Sequence, residues 1–107
     1  MKTPEIYVIV KIGNINPIYK VFATWRGGYI DGDRWKLNSG ITRIENQDTY
    51  TDFIGYSGSV YRCKKGSYGM SAYTQGVLDD MIKKAKEVYD LEIAILDNRS
   101  NWSTLLD

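Results

Sequence analysis

Apolar and polar positions alternate over residues 5–12, EIYVIVKI, placing Ile6, Val8, Val10 and Ile12 on one side and Tyr7, Ile9 and Lys11 on the other. A period of two over β-branched residues predicts a strand. The turn formers Gly13-Asn14-Ile15-Asn16-Pro17 end it, and a second alternating run over residues 18–26 makes a hairpin the simplest connection. Gly27-Gly28 and Asp31-Gly32 are two turn signals close together, with Tyr29 and Ile30 between them, so this segment reads as a loop bordered by Trp25 and Trp35. Residues 41–45 and 49–56 flank a tight turn at Asn46-Gln47-Asp48, and residues 59–64 alternate once more.

The period then changes. Val77, Leu78, Met81, Ile82, Ala85 and Val88 or Tyr89 recur at helical spacing, with Asp79, Asp80, Lys83, Lys84, Lys86 and Glu87 on the opposite side. Asp79 with Lys83 and Asp80 with Lys84 are i,i+4 pairs in the favourable orientation. One amphipathic helix near residues 73–89 follows, with Ser71 or Thr74 as its cap. Residues 91–96, LEIAIL, form a last strand or an extended edge before a polar tail containing Trp102, Leu105 and Leu106.

The fold class expected is α+β: an antiparallel meander of five to six strands in a curved sheet, its apolar face covered by the single helix. Glycines at 27, 28, 40, 55 and 58 leave a small open barrel as the alternative closure. The length, 107 residues, fits a single domain over residues 1–107.

Composition narrows the function. The chain has no histidine and one cysteine, Cys63, which removes Ser-His-Asp and Cys-His sites and the usual zinc sites. No metal or cofactor is expected, and the reading is of a binding protein, not an enzyme. The nearest catalytic constellation is Asp31-Gly32-Asp33 beside Trp35, better read as a solvated turn. Cys63 reads as a buried structural thiol. No apolar run is long enough to cross a bilayer and no leader pattern opens the chain, so a cytoplasmic location without membrane attachment is expected. With 14 basic and 13 acidic residues there is no global field for strong duplex DNA binding, and any electrostatic recognition must be local.

One stretch is locally different. Between Asp52 and Asp79 the only charged residues are Arg62, Lys64 and Lys65, followed by Gly66 and Gly69 around Ser67-Tyr68, then Ser71, Tyr73 and Thr74 where the helix begins. Unpaired amide N–H groups at a helix start carry partial positive charge and favour a phosphate or carboxylate. Tyrosines 56, 61, 68 and 73, with Trp25 or Trp35, offer rings for a base. Trp25-Arg26-Gly27-Gly28-Tyr29 repeats the mix of ring, cation and glycine, and Arg26 or Arg34 can face the same ligand from another loop. The ligand-binding set read from sequence is therefore Trp25, Arg26, Trp35, Arg62, Lys64 and Lys65, with Ser67, Tyr68, Ser71, Tyr73 and Thr74 at the junction.

Two functions fit this set. The first is capture of a phosphate-bearing ligand: a nucleotide, a cyclic nucleotide or a short single strand of nucleic acid. The second is a protein-binding inhibitor or adaptor that blocks a host protein through Trp25, Arg26, Tyr29, Trp35 and Tyr68, residue types that dominate interface hot spots. A short chain rich in tyrosine and lysine and free of histidine resembles the accessory proteins of bacteriophages and other mobile elements. Many of these neutralise host defences by sequestering a protein or a signalling nucleotide, and the resemblance is one of type that assigns no residue. An unpaired sheet edge leaves a homo-oligomer open.

Overall fold

The structure, a computed structural model, describes residues 1–27 and 32–107. Its elements run β1 (Ile6–Ile12), β2 (Ile18–Trp25), β3 (Arg34–Leu37), β4 (Ile41–Asn46), β5 (Tyr50–Gly55), β6 (Val60–Lys64), α1 (Ala72–Tyr89) and β7 (Ile93–Ile95). One sheet has the order β3-β2-β1-β7 and the other β4-β5-β6, with every neighbouring pair antiparallel. Among the described residues the fold is therefore α+β, with a single helix packed on antiparallel strands. Its strands are shared between two open sheets, and no barrel closes.

The reason for two sheets lies in β1. Tyr7, Val8, Ile9 and Val10 are all buried, so this strand needs cover on both faces. On one face Val8 and Val10 join Phe22 of β2 beneath Leu78 of α1, with Val77, Met81 and Ile82 around it. On the other, Tyr7, Ile9, Val21 and Ala23 pack against Phe53, Tyr61 and Cys63 of the second sheet. The layers are helix, four-stranded sheet and three-stranded sheet.

Two local devices join the layers. Asn38, just after β3, accepts the Val21 N–H on Oδ1 at 2.9 Å and donates its own N–H to the Val21 carbonyl at 3.1 Å, holding the chain against β2 as it leaves the first sheet. Gly40 then takes φ +120°, and a Cβ there would stand 2.9 Å from the Tyr56 ring. At the N-terminus, Lys2 donates to Val60 and accepts from Arg62, both at 2.8 Å, so the first residues cover the free edge of β6 before turning into β1.

Two expectations are corrected here. The loop expected between Trp25 and Trp35 ends sooner, because residues 34–37 are a strand: Trp35 stacks on Phe22 with ring centroids 5.6 Å apart, and Leu37 lies beside Phe22 in the ladder. The polar tail carries a core residue. Trp102 is 1% exposed, and its indole N–H donates to the Tyr7 hydroxyl at 3.2 Å.

Candidate functional site

Strand β6 sets the charged face. Alternation turns Tyr61 and Cys63 into the core and Arg62 and Lys64 outward, and the β5–β6 register puts Arg62 opposite Asp52 and Lys64 opposite Tyr50. Arg62 Nε and Nη2 donate to Asp52 Oδ1 and Oδ2, both at 2.9 Å, and the guanidinium carbon lies 3.9 Å from the centre of the Tyr50 ring. The hydrogen bond to Asp52 holds the Arg62 pKa above its ordinary value. The guanidinium is thus fixed in orientation, and among the described residues its Nη1 has no acceptor.

Arg26 reaches the same place from the end of β2. Its amide donates to Glu5 Oε1 at 3.1 Å and its Nη1 lies 3.5 Å from Glu5 Oε2, an exposed and loose pair. Lys65 follows β6 and is anchored by its amide bond to the Thr49 carbonyl at 3.0 Å. Arg26, Arg62, Lys64 and Lys65 with Tyr50, Thr49, Thr3, Pro4 and Glu5 enclose a groove of about 620 Å³. Four cations and one carboxylate line it. Lys64 and Lys65 form no ion pair among the described residues.

The junction into α1 is built otherwise than the sequence reading expected. Ser71 and Thr74 form a reciprocal capping box: the Thr74 N–H donates to Ser71 Oγ at 3.2 Å and the Ser71 N–H to Thr74 Oγ1 at 3.1 Å. Thr74 is fully buried and also receives the Thr24 hydroxyl at 2.9 Å. The amides of Ser67 and Gly69 donate to the carbonyls of Lys64 and Tyr7, and Ser67 Oγ donates to the Lys64 carbonyl at 2.6 Å. Tyr68 accepts the Ile9 N–H at 3.0 Å and donates to the Leu96 carbonyl at 2.6 Å, with its ring wedged against Tyr7 and Trp102. Ser67, Tyr68, Ser71 and Thr74 are therefore bonded within the fold, and of the first helical amides those of Ala72 and Tyr73 have no acceptor among the described residues.

The remaining rings gather elsewhere. Trp25, Trp35 and Tyr73 line a second depression of about 680 Å³ with Lys2, Arg34, Lys36 and Asp33. Trp25 is held there by its indole N–H, which donates to the Thr3 carbonyl at 3.1 Å. Sequence reading found Trp25, Trp35 and Tyr73 but not Lys2 or Lys36. Lys36 belongs to β3, a strand the sequence pattern does not announce, and Lys2 is placed by a bridge to β6 that no local pattern announces either. Tyr50 was also missed, although its place two residues before Asp52 on an alternating strand is a usable signal.

Asp33 Oδ1 accepts the Gly27 N–H at 3.3 Å, a turn contact, while Tyr29 and Asp31 lie outside the described residues. Among the described residues no group of three potential metal ligands occurs, and no helix is long and apolar enough to cross a membrane. The chain matches no family model, no curated protein and no solved structure.

Proposed function

We propose that the protein captures a phosphate-bearing ligand, a nucleotide or a short single strand of nucleic acid, in the groove between β6 and the N-terminal segment, and holds it without cleaving it. The observation that supports this reading is the convergence of Arg26, Arg62, Lys64 and Lys65 on one groove with Glu5 as its single lining carboxylate. An anion there meets two ammonium groups and a guanidinium Nη1 edge that have no partner among the described residues, and charge-assisted bonds of this kind are the strong ones. Holding such a ligand intact removes it from whatever reads it. Many of the bacteriophage accessory proteins the chain resembles in type act by such sequestration, and countering a host defence in the host cytosol is the role we assign to it.

The test is a thermal-shift screen of linear and cyclic nucleotides with pyrophosphate as control, and chromatography of the recovered ligand. A shift is expected with at least one nucleotide, abolished by Lys64→Glu with Lys65→Glu, reduced less by Trp35→Ala, with the ligand recovered unchanged. A second reading, capture of a host protein, rests on the depression where Trp35 and Tyr73 stand 38% and 61% exposed beside Arg34. No shift across the screen, together with one stoichiometric host protein recovered by wild type and lost in Trp25→Ala, would replace the first reading with the second.

A further inference from the structure

The cationic groove does not stand alone. Thr3 lines both it and the aromatic depression, so the two meet along the N-terminal segment. At its other end Lys65 lines both the groove and a smaller cleft of about 260 Å³ that contains Gly66, Asn98, Arg99, Ser100 and the edge of Trp102. Three depressions thus follow one another over a single surface.

Charge is concentrated along this path. Lys2, Arg34 and Lys36 line the first depression, the four groove cations the second, and Arg99 joins Lys65 in the third. Eight of the chain's 14 basic residues line the path, against Glu5 and Asp33 of its 13 acidic ones. Of the six cations off the path, Arg43, Lys83, Lys84 and Lys86 sit in ion pairs, and Lys11 and Lys20 do not among the described residues. On the path only Arg26 and Arg62 do so among the described residues. A near-neutral chain has therefore left one surface strongly positive, with exposed rings at one end of it.

From this geometry we infer that the ligand is a single-stranded nucleic acid several nucleotides long, its backbone running along the three depressions and its bases stacking at Trp25, Trp35 and Tyr73. The inference rests on the proposed phosphate site and extends it. A mononucleotide would occupy the central groove alone and leave Arg34, Lys36 and Arg99 without a role. A duplex buries its base faces and has nothing to offer the rings, whereas a single strand offers both phosphates and bases.

The experiment is fluorescence anisotropy with labelled ten-nucleotide oligothymidylate, set against thymidine monophosphate as competitor and a duplex of equal length. Wild type should bind the decamer at least tenfold more tightly than the monophosphate or the duplex. Four or more phosphate contacts at about −0.7 each give a slope of log affinity on log salt of roughly −3 or steeper. Arg34→Glu, Lys36→Glu and Arg99→Glu change exposed side chains outside the central groove; each should weaken the decamer fivefold or more and alter monophosphate affinity less than twofold. Equal affinity for monophosphate and decamer, or indifference of the decamer to all three variants, overturns the inference and leaves the central anion site standing. Equal binding of duplex and single strand overturns the single-strand assignment. Failure of every phosphate ligand brings down the underlying reading as well, and is told apart by the absence of any monophosphate signal.

Discussion

Arg62 donates from Nε and Nη2 to the two carboxylate oxygens of Asp52, both at 2.9 Å, across the β5–β6 ladder. The pair orients the guanidinium and at the same time cancels one of the four positive charges of the groove. Asp52→Asn keeps the side chain's shape and one acceptor oxygen while removing the negative charge. With that charge roughly 7 Å from a bound phosphate and an effective dielectric of about 40 to 80, the repulsion relieved is about 0.6–1.2 kcal/mol, or about three- to eightfold in affinity. Calorimetric titration should show this tightening. Unchanged or weaker binding would mean that Arg62 serves the sheet and not the ligand.

The capping box gives the converse expectation. Ser71 Oγ is engaged by the Thr74 N–H, so Ser71→Ala should cost about 1 kcal/mol of stability, seen as a drop of roughly 4 °C or more in Tm. Because that hydroxyl is spent within the helix cap, affinity for nucleotide should stay within twofold. A large loss of binding without loss of stability would restore Ser71 to the ligand site.

What was legible in the sequence divides by the range of the interaction. The alternation of residues 5–12 and 18–26 and the helical recurrence from Val77 to Tyr89 are local signals, and β1, β2 and α1 form where those signals stand. Of the two cap candidates, Ser71 and Thr74, Ser71 is the N-cap and Thr74 its partner in the capping box. The same stretch was read as an anion cradle because its glycines and hydroxyls look unspent in one dimension. Their partners, the Tyr7 carbonyl for Gly69 and Leu96 for Tyr68, come from distant strands. Trp102 shows the same limit: its neighbours Asn101 and Ser103 are polar, and only the unfilled space over Tyr7 and Phe53 gives an indole a reason to be buried there. Arg62, Lys64 and Lys65, close neighbours in sequence, line one groove. Arg26 joins them through the β1–β2 hairpin, which sets it beside Glu5.

Gly40 marks where the chain passes from one sheet to the other. Gly40→Ala meets two penalties, a φ of +120° that side chains rarely adopt and a Cβ placed 2.9 Å from the Tyr56 ring. Together these should cost about 2–4 kcal/mol, measured by urea unfolding. Tyr56 is 71% exposed, so Tyr56→Ala alone should be mild. In the Tyr56→Ala background the Gly40→Ala cost should shrink by the clash and keep the dihedral part. Full additivity of the two would show that the ring simply swings away.

Cys63 is fully buried on the core face of β6, and burial pushes its thiol pKa well above the ordinary range. The thiolate is the reactive form, so the native protein should resist alkylation at mildly alkaline pH. One equivalent of reagent should be taken up at once in denaturant. Labelling of the folded protein at the rate of a free thiol would show a local opening of β6, the strand that carries Arg62 and Lys64.

Tyr7 ties the core between the two sheets to alkaline stability. It is 3% exposed, and burial raises its pKa from 10.0 to about 12, an effect the hydrogen bond from Trp102 only partly offsets. Unfolded, the same phenol ionises near its ordinary value, so between about pH 10 and 12 the unfolded chain binds fewer protons than the folded one. Stability from this group is therefore complete below about pH 10 and is lost as pH rises towards 12, by at most about 2.7 kcal/mol for two units. Burial raises the pKa values of Tyr61 and Tyr68 as well, which adds loss of the same sign. Tyr7→Phe separates the contributions: it should lower stability near neutral pH by about 1 kcal/mol through the orphaned Trp102 N–H and make the alkaline decline shallower. Denaturant midpoints for both proteins across that pH interval make the comparison, and parallel declines would show that the Tyr7 hydroxyl ionises in the folded state as it does in water.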